Sequence, residues 1–117
     1  IGADGSWEID PQRISQAVLQ LVENALKYTP AKAKIKVSLQ VLGSQLQVVV
    51  EDGGTGIPLD QREAIFEPFV RGKGMQNVEG SGIGLSLVRA IAKAHGGEVS
   101  IGESELGGAR FVLRIPR

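Results

Sequence analysis

A chain of 117 residues has room for one hydrophobic core and no second one. Its 13 basic and 13 acidic residues cancel, which excludes the broad electrostatic footprint of a nucleic-acid or anionic-membrane binder, so any anionic ligand has to be held by local geometry. The absence of cysteine excludes disulfides, thiolate nucleophiles and cysteine zinc sites, no apolar run reaches the roughly 20 residues that span a bilayer, and the N-terminus lacks the order of a signal peptide, so a cytoplasmic location is expected. The chain opens on Ile1 rather than methionine, and is read as one domain, residues 1–117, cut from something longer.

In chain order, "SWEI" suggests a short strand, and Asp10 followed by Pro11 reads as a helix N-cap with proline in the first turn. The helix should run to about Tyr28, with Ile14, Val18, Leu21, Val22 and Ala25 on one side and Gln16, Gln20, Glu23, Asn24 and Lys27 on the other. "AKIKVSLQV" and "QLQVVVED" alternate apolar with polar residues about a turn at Gly43 and Ser44, which predicts a hairpin with one wet face. A glycine-rich loop at 52–57, a helical turn near "DQREAIF" and an irregular polar stretch from about Arg71 to Glu79 come next. "IGLSLVRAIAKAH" reads as the second long helix, closed by Gly96 and Gly97, and "GEVSIGES" with "ARFVLRI" forms a second hairpin around Gly107 and Gly108. The expected fold is α+β: a two-layer sandwich whose mixed, mostly antiparallel sheet carries about three helices on one face.

Four stretches carry chemistry. Gln20, Asn24 and Lys27 share one helix stripe, where amide oxygens suit Mg²⁺ and an ammonium suits phosphate, although such a stripe alone is an ordinary solvated face. In "EDGGTGIP", Asp52 ends an apolar strand beside Gly54 and Gly56. A carboxylate held there can accept from an exocyclic amine while bare backbone approaches a flat ring and Ile57 walls it, a pattern that fits adenine better than a metal because only one carboxylate is present. Asp-Gly by itself is also a plain turn. In "IFEPFVRGK", Phe66 and Phe69 read as loop anchors, while Arg71 is placed to meet a terminal phosphate or simply to face solvent. In "GSGIGLSLV", Gly80, Gly82 and Gly84 bare the backbone where a helix starts, which leaves N–H groups and the positive dipole end for phosphate, with tight packing as the alternative. The spacing is neither that of a dinucleotide fingerprint nor that of a Walker loop.

Taken in order, "VENALKYT", "DGGTGI", "EPFVRG" and "GSGIGLSLV" resemble the ATP-binding domain of sensor histidine kinases, within the superfamily of gyrase, HSP90, histidine kinases and MutL, and the resemblance runs from about Trp7 to Pro116. It implies a Bergerat-type fold that binds Mg²⁺–ATP and donates the γ-phosphate to a histidine on a separate dimerisation domain of the same parent, upstream of a response regulator. It also implies site roles: Asn24 on Mg²⁺, with Gln20 as a second metal contact; Lys27 and Tyr28 on phosphate and base or ribose; Asp52 on the adenine amine. Gly54, Gly56 and Ile57 would shape the base pocket, Arg71 would lie at the root of a lid over ATP, and Gly80, Ser81, Gly82, Ile83, Gly84 and Leu85 would hold the phosphates. Arg71 and Lys27 are the residues expected to assist transfer.

Three positions depart from the family pattern. Gln20 stands where Asn or His is frequent, Gly53 where Asn is common after the loop aspartate, and Ala109 where a late "GGT" motif carries a threonine whose hydroxyl supports the adenine bonds. His95, the only histidine, sits at the end of the second helix, where it reads as a favourable partner of the helix dipole rather than a phosphoacceptor. The chain thus resembles the catalytic half of a kinase without its substrate half. The alternatives are a serine kinase acting on a sigma-factor regulator, a gyrase-like or chaperone-like ATPase, and a non-catalytic nucleotide sensor. Hydrolysis is disfavoured because Gln20 occupies the position of the ATPase glutamate.

Overall fold

The computed structural model describes residues 9–30, 32–66 and 84–116, apart from the Tyr28 side chain; residues 6–8 of the proposed "SWEI" strand, Phe69, the polar stretch from Arg71 to Glu79 and Gly80 to Ile83 lie outside them, and Ile9 is in no strand. Helix α1 (Pro11–Tyr28) begins as its sequence dictates: the Asp10 carboxylate accepts the N–H groups of Gln12 and Arg13 at 3.1 and 3.2 Å, and proline occupies the first turn, where no N–H is needed. Ala17, Leu21 and Ala25 face inward and are fully buried. Removing Leu21 down to alanine in such a site costs about 2–5 kcal/mol, so this stripe alone can decide whether the domain folds.

The sheet is built from β1 (Ile35–Leu42), β2 (Gln45–Asp52), β3 (Glu98–Glu103) and β4 (Ala109–Pro116), in the spatial order β1-β2-β4-β3, and every described pairing is antiparallel. The last strand therefore inserts between β2 and β3. Helix α2 (Gly84–Ala94) packs beside α1 and buries Val88, Ile91 and Ala92 against Phe111, Leu113 and Ile115 of β4. The helical turn expected near "DQREAIF" resolves into two short 3₁₀ turns, Leu59–Gln61 and Ala64–Phe66. Helices over one face of an antiparallel sheet make the two-layer α+β sandwich that the alternation of periodicities predicts.

The first hairpin departs from the one-wet-face expectation. Helix α1 lies over β2 and touches β1 only lightly, while α2 lies over β3 and β4, so β1, at the sheet edge, keeps most of its apolar row uncovered: Val37, Leu39 and Val41 are 50, 67 and 56% exposed. Central β2 shows the opposite. From Val48 to Asp52 it is buried on both faces, because strands flank it on each side and their side chains close over Val49 and Glu51.

Helix α2 ends on Gly96 at φ +72°, a left-handed conformation that suits glycine. Its Gly97 N–H reaches the Ala92 carbonyl at 2.8 Å and its Gly96 N–H the Lys93 carbonyl at 3.0 Å, the paired bonds of a Schellman stop. His95 ties this end to the start of α1. Its Nε2 accepts the Asp10 N–H at 3.0 Å, which leaves the proton on Nδ1, 2.8 Å from the Ile91 carbonyl. The imidazole thus bonds a carbonyl at the C-terminal end of its own helix and, in addition, bridges to the start of α1, with both nitrogens engaged. No helix among the described residues is long and apolar enough to cross a membrane. Nitrogen NMR of His95 should show the Nδ1–H tautomer, and His95→Ala should lower stability by about 1–2 kcal/mol in chemical denaturation by removing the bridge.

Candidate functional site

Strand alternation turns Asp52, the last residue of β2, toward the helix layer together with Val48 and Val50, and the fold buries it to 6% exposure. A carboxylate this far from water needs hydrogen bonds. Its Oδ1 accepts the Gly54 N–H at 2.9 Å and the Ala109 N–H at 3.1 Å, and its main-chain carbonyl accepts the Gly108 N–H at 3.0 Å. Among the described residues no arginine or lysine pairs with it, and Oδ2 has no hydrogen-bond partner there.

The glycines nearby have distinct tasks. Gly56 takes φ +77°, which turns the loop over Gly108. At Gly108 a β-carbon would run into Asp52 and the Gly54 nitrogen, so only hydrogen fits where the last strand meets the aspartate. Arg62 props the loop from outside, donating from Nε to the Ile57 carbonyl at 2.9 Å.

Asp52, Asn24, Thr55, Gly56, Ile57, Ala109 and Phe111 line one pocket. Residues singled out separately on α1 and in the glycine loop thus come together: Asn24 and Asp52 line the same space, with Ile57 and Phe111 as its apolar members. Lys27 lies on the exposed side of α1, one turn beyond Asn24. Gln20, one turn before it, sets its Oε1 against Gly84 at the start of α2, where a β-carbon would collide with it. Gly84 is bare here because a neighbouring side chain fills the space beside it. Leu85 packs against the core. Among the described residues no three His, Cys, Asp or Glu side chains cluster to hold a metal, and the oxygen-bearing side chains that line the pocket are those of Asn24, Asp52 and Thr55.

Sequence reasoning missed three contributors. Phe111 gave no signal beyond that of a buried strand residue. Ala109 was read as a lost hydroxyl, yet its main-chain N–H binds Asp52 directly. Arg89 drew no reading from the sequence; it pairs with Glu63 and lies 4.7 Å over the Phe66 ring, which holds the second 3₁₀ turn against the helix.

Residues 9–117 match the family model for histidine kinase-, DNA gyrase B- and HSP90-like ATPases. The chain belongs to this family. Within it, the adaptive-response sensory kinase SasA of Synechococcus sp. (strain JA-2-3B'a(2-13)) is 44% identical over 113 residues, covering 95% of this chain and 30% of that protein. The solved structure of the mycobacterial sensor histidine kinase MprB superimposes with a TM-score of 0.86 at 28% identity, over 94% of this chain and 76% of that one. Full-length ShkA, solved in complex with AMPPNP, gives 0.76 at 33% identity, over 89% of this chain and 21% of that one. The chain is an ATP-binding domain of the sensor histidine kinase type, and spans about 30% of the length of the SasA relative.

In this ATPase domain, Gly108→Ala should push the Asp52 carboxylate aside, costing about 1–3 kcal/mol as overpacking does and shifting the Gly54 and Ala109 amide resonances. Gly102→Ala, where a β-carbon meets open space, should stay within about 0.5 kcal/mol of wild type.

Proposed function

We propose that this chain is the catalytic module of a longer sensor histidine kinase, and that it donates the γ-phosphate of ATP to a histidine on the parent's dimerisation domain, from which a response regulator is served in the cytoplasm. The observation that carries the reading is the half-committed carboxylate of Asp52: Oδ1 is spent on main-chain N–H groups, and Oδ2 remains for a donor in a pocket shared with Asn24. An adenine amine is such a donor, and Ile57 and Phe111 supply the apolar walls that a flat base needs.

The roles follow from position. Asp52 orients the base, and Gly54 and Gly56 let it approach. The half-buried Asn24 amide offers a hard oxygen of the kind Mg²⁺ accepts; with no carboxylate cluster beside it, the ion would be held mainly by triphosphate oxygens, with Asn24 fixing where they lie and Gln20 in support. When bound, Mg²⁺ offsets charge on the transferring phosphoryl group. The family resemblance, rather than position, supports Lys27, Tyr28, Arg71 and the Gly80 to Leu85 segment as the phosphate-binding residues, with Arg71 and Lys27 assisting transfer. The transfer breaks the bond between the β–γ bridging oxygen and the γ-phosphorus and forms one to a histidine nitrogen from outside this chain, so positioning is the module's whole contribution.

Two measurements test the proposal. ATP should bind at least about tenfold more tightly than GTP by calorimetry, because a guanine carbonyl facing Oδ2 leaves both groups unpaired. Asp52→Asn keeps an oxygen for the Gly54 and Ala109 N–H groups and replaces only Oδ2, so it should erase that preference while stability changes by less than about 1 kcal/mol; equal ATP and GTP binding in wild type would refute the assignment. The chain alone should bind Mg²⁺–ATP without labelling itself, both His95 nitrogens being engaged, and should label the parent's histidine-bearing segment when it is added. Acid-labile, base-stable radiolabel on the chain alone would contradict this, and steady phosphate release from it would favour an ATPase.

A further inference from the structure

The carboxylate next to Asp52 has no part in the roles above. Glu51 points to the opposite face of the sheet, with its side chain only 12% exposed, a costly place for a charge that lacks hydrogen bonds. Its Oε1 accepts the Ser104 hydroxyl at 3.2 Å, and Nε of Arg110, its register partner on β4, stands 3.7 Å away. Ser104 is buried and forms the corner of the β3–β4 connection. Its hydroxyl accepts the Leu106 N–H at 3.0 Å, its carbonyl accepts the Gly107 N–H at 3.0 Å, and its own N–H donates to the Gly108 carbonyl at 2.9 Å. Gly108 and Ala109, next in the chain, are the residues that bond Asp52. The connection is therefore gripped from both faces of one strand end, by Glu51 through Ser104 and by Asp52 through Gly108 and Ala109.

We infer that Glu51, acting through Ser104, is a positioning residue for base recognition: it holds the 104–108 connection where the Ala109 N–H meets Oδ1 of Asp52, so that Oδ2 is the oxygen presented to the base. The inference rests on the adenine reading of Asp52. Asp52 holds Gly108 through its main-chain carbonyl, but its carboxylate can rotate to follow an Ala109 N–H that drifts. Glu51 is anchored on the far face and does not turn with it. The arginine adds little, because a 3.7 Å pair with a partly exposed partner is weak.

Calorimetric titration of the chain with Mg²⁺–ATP and Mg²⁺–GTP tests this through the ratio of the two dissociation constants. Ser104→Ala should reduce the preference for ATP about three- to tenfold, the scale of one hydrogen bond. Ser104→Thr, which keeps the hydroxyl, should retain the preference, and Arg110→Gln should change it by less than about twofold. Glu51→Gln keeps the shape and weakens a charge-assisted bond, so it should fall between wild type and Ser104→Ala. It decides the matter if Ser104→Ala does not fold: a lowered ratio supports the inference and an unchanged one overturns it. A Ser104→Ala chain that melts earlier yet keeps the wild-type ratio overturns it as well, by reducing Ser104 to a turn residue. If Asp52→Asn leaves the ratio at its wild-type value, the adenine reading fails and the inference falls with it. If Asp52→Asn abolishes the ratio and Ser104→Ala does not change it, only the inference falls.

Discussion

Asp52 Oδ1 accepts two main-chain N–H groups, from Gly54 just downstream and from Ala109 in the last strand, and that shared acceptance brings two distant stretches of chain to one point. The glycine loop is bent by it, β4 is stopped against β2 by it, and the pocket between α1 and the sheet takes its polar end from it. The bare backbone at Gly108 follows from the same contact. A buried carboxylate is expensive, and here one of its oxygens is satisfied by main-chain N–H groups, donors that every residue but proline carries.

Helix α1 serves the core and the pocket at once. Ala17, Leu21 and Ala25 bury one stripe, and the residues just round the helix from them, Gln20 and Asn24, reach the start of α2 and the Asp52 pocket. A single rigid cylinder therefore sets the distance between the Asp52 pocket and the start of α2. Its two small alanines let the helix settle close over β2, while most of edge strand β1 beyond Ile35 stays exposed.

Much of this was legible in the amino-acid order. Asp10-Pro11, the two alternating hairpins and Gly96-Gly97 are local signals, each with a local mechanism, and the elements form where those signals stand. The boxes around Asn24 and Asp52 were legible because few arrangements of amides, one carboxylate and glycines appear in that sequence by accident. What was not legible depended on distance along the chain. Nothing in "ARFVLRI" distinguishes Phe111 as a pocket wall from Leu113 as plain core, and nothing at Ala109 advertises a main-chain donor, because every residue but proline has one. The tautomer of His95 is fixed by Asp10, 85 residues away. The exposure of Val37, Leu39 and Val41 is a matter of which strand the helices choose to cover, which alternation alone does not encode.

The strand order β1-β2-β4-β3 has a consequence for how the domain comes into being. β2 ends at Asp52 and its neighbour β4 does not begin until Ala109, so the central pairing of the sheet closes a loop of more than fifty residues that includes α2 and β3. Closing so long a loop is entropically slow, and until it happens β2 has only β1 beside it. The Asp52 junction needs both strands. During synthesis, then, a chain that has emerged only as far as β3 holds two unjoined pieces of sheet and no pocket, and the ability to hold a ligand arrives with the final eight-residue strand, making ligand capture a report that folding is finished.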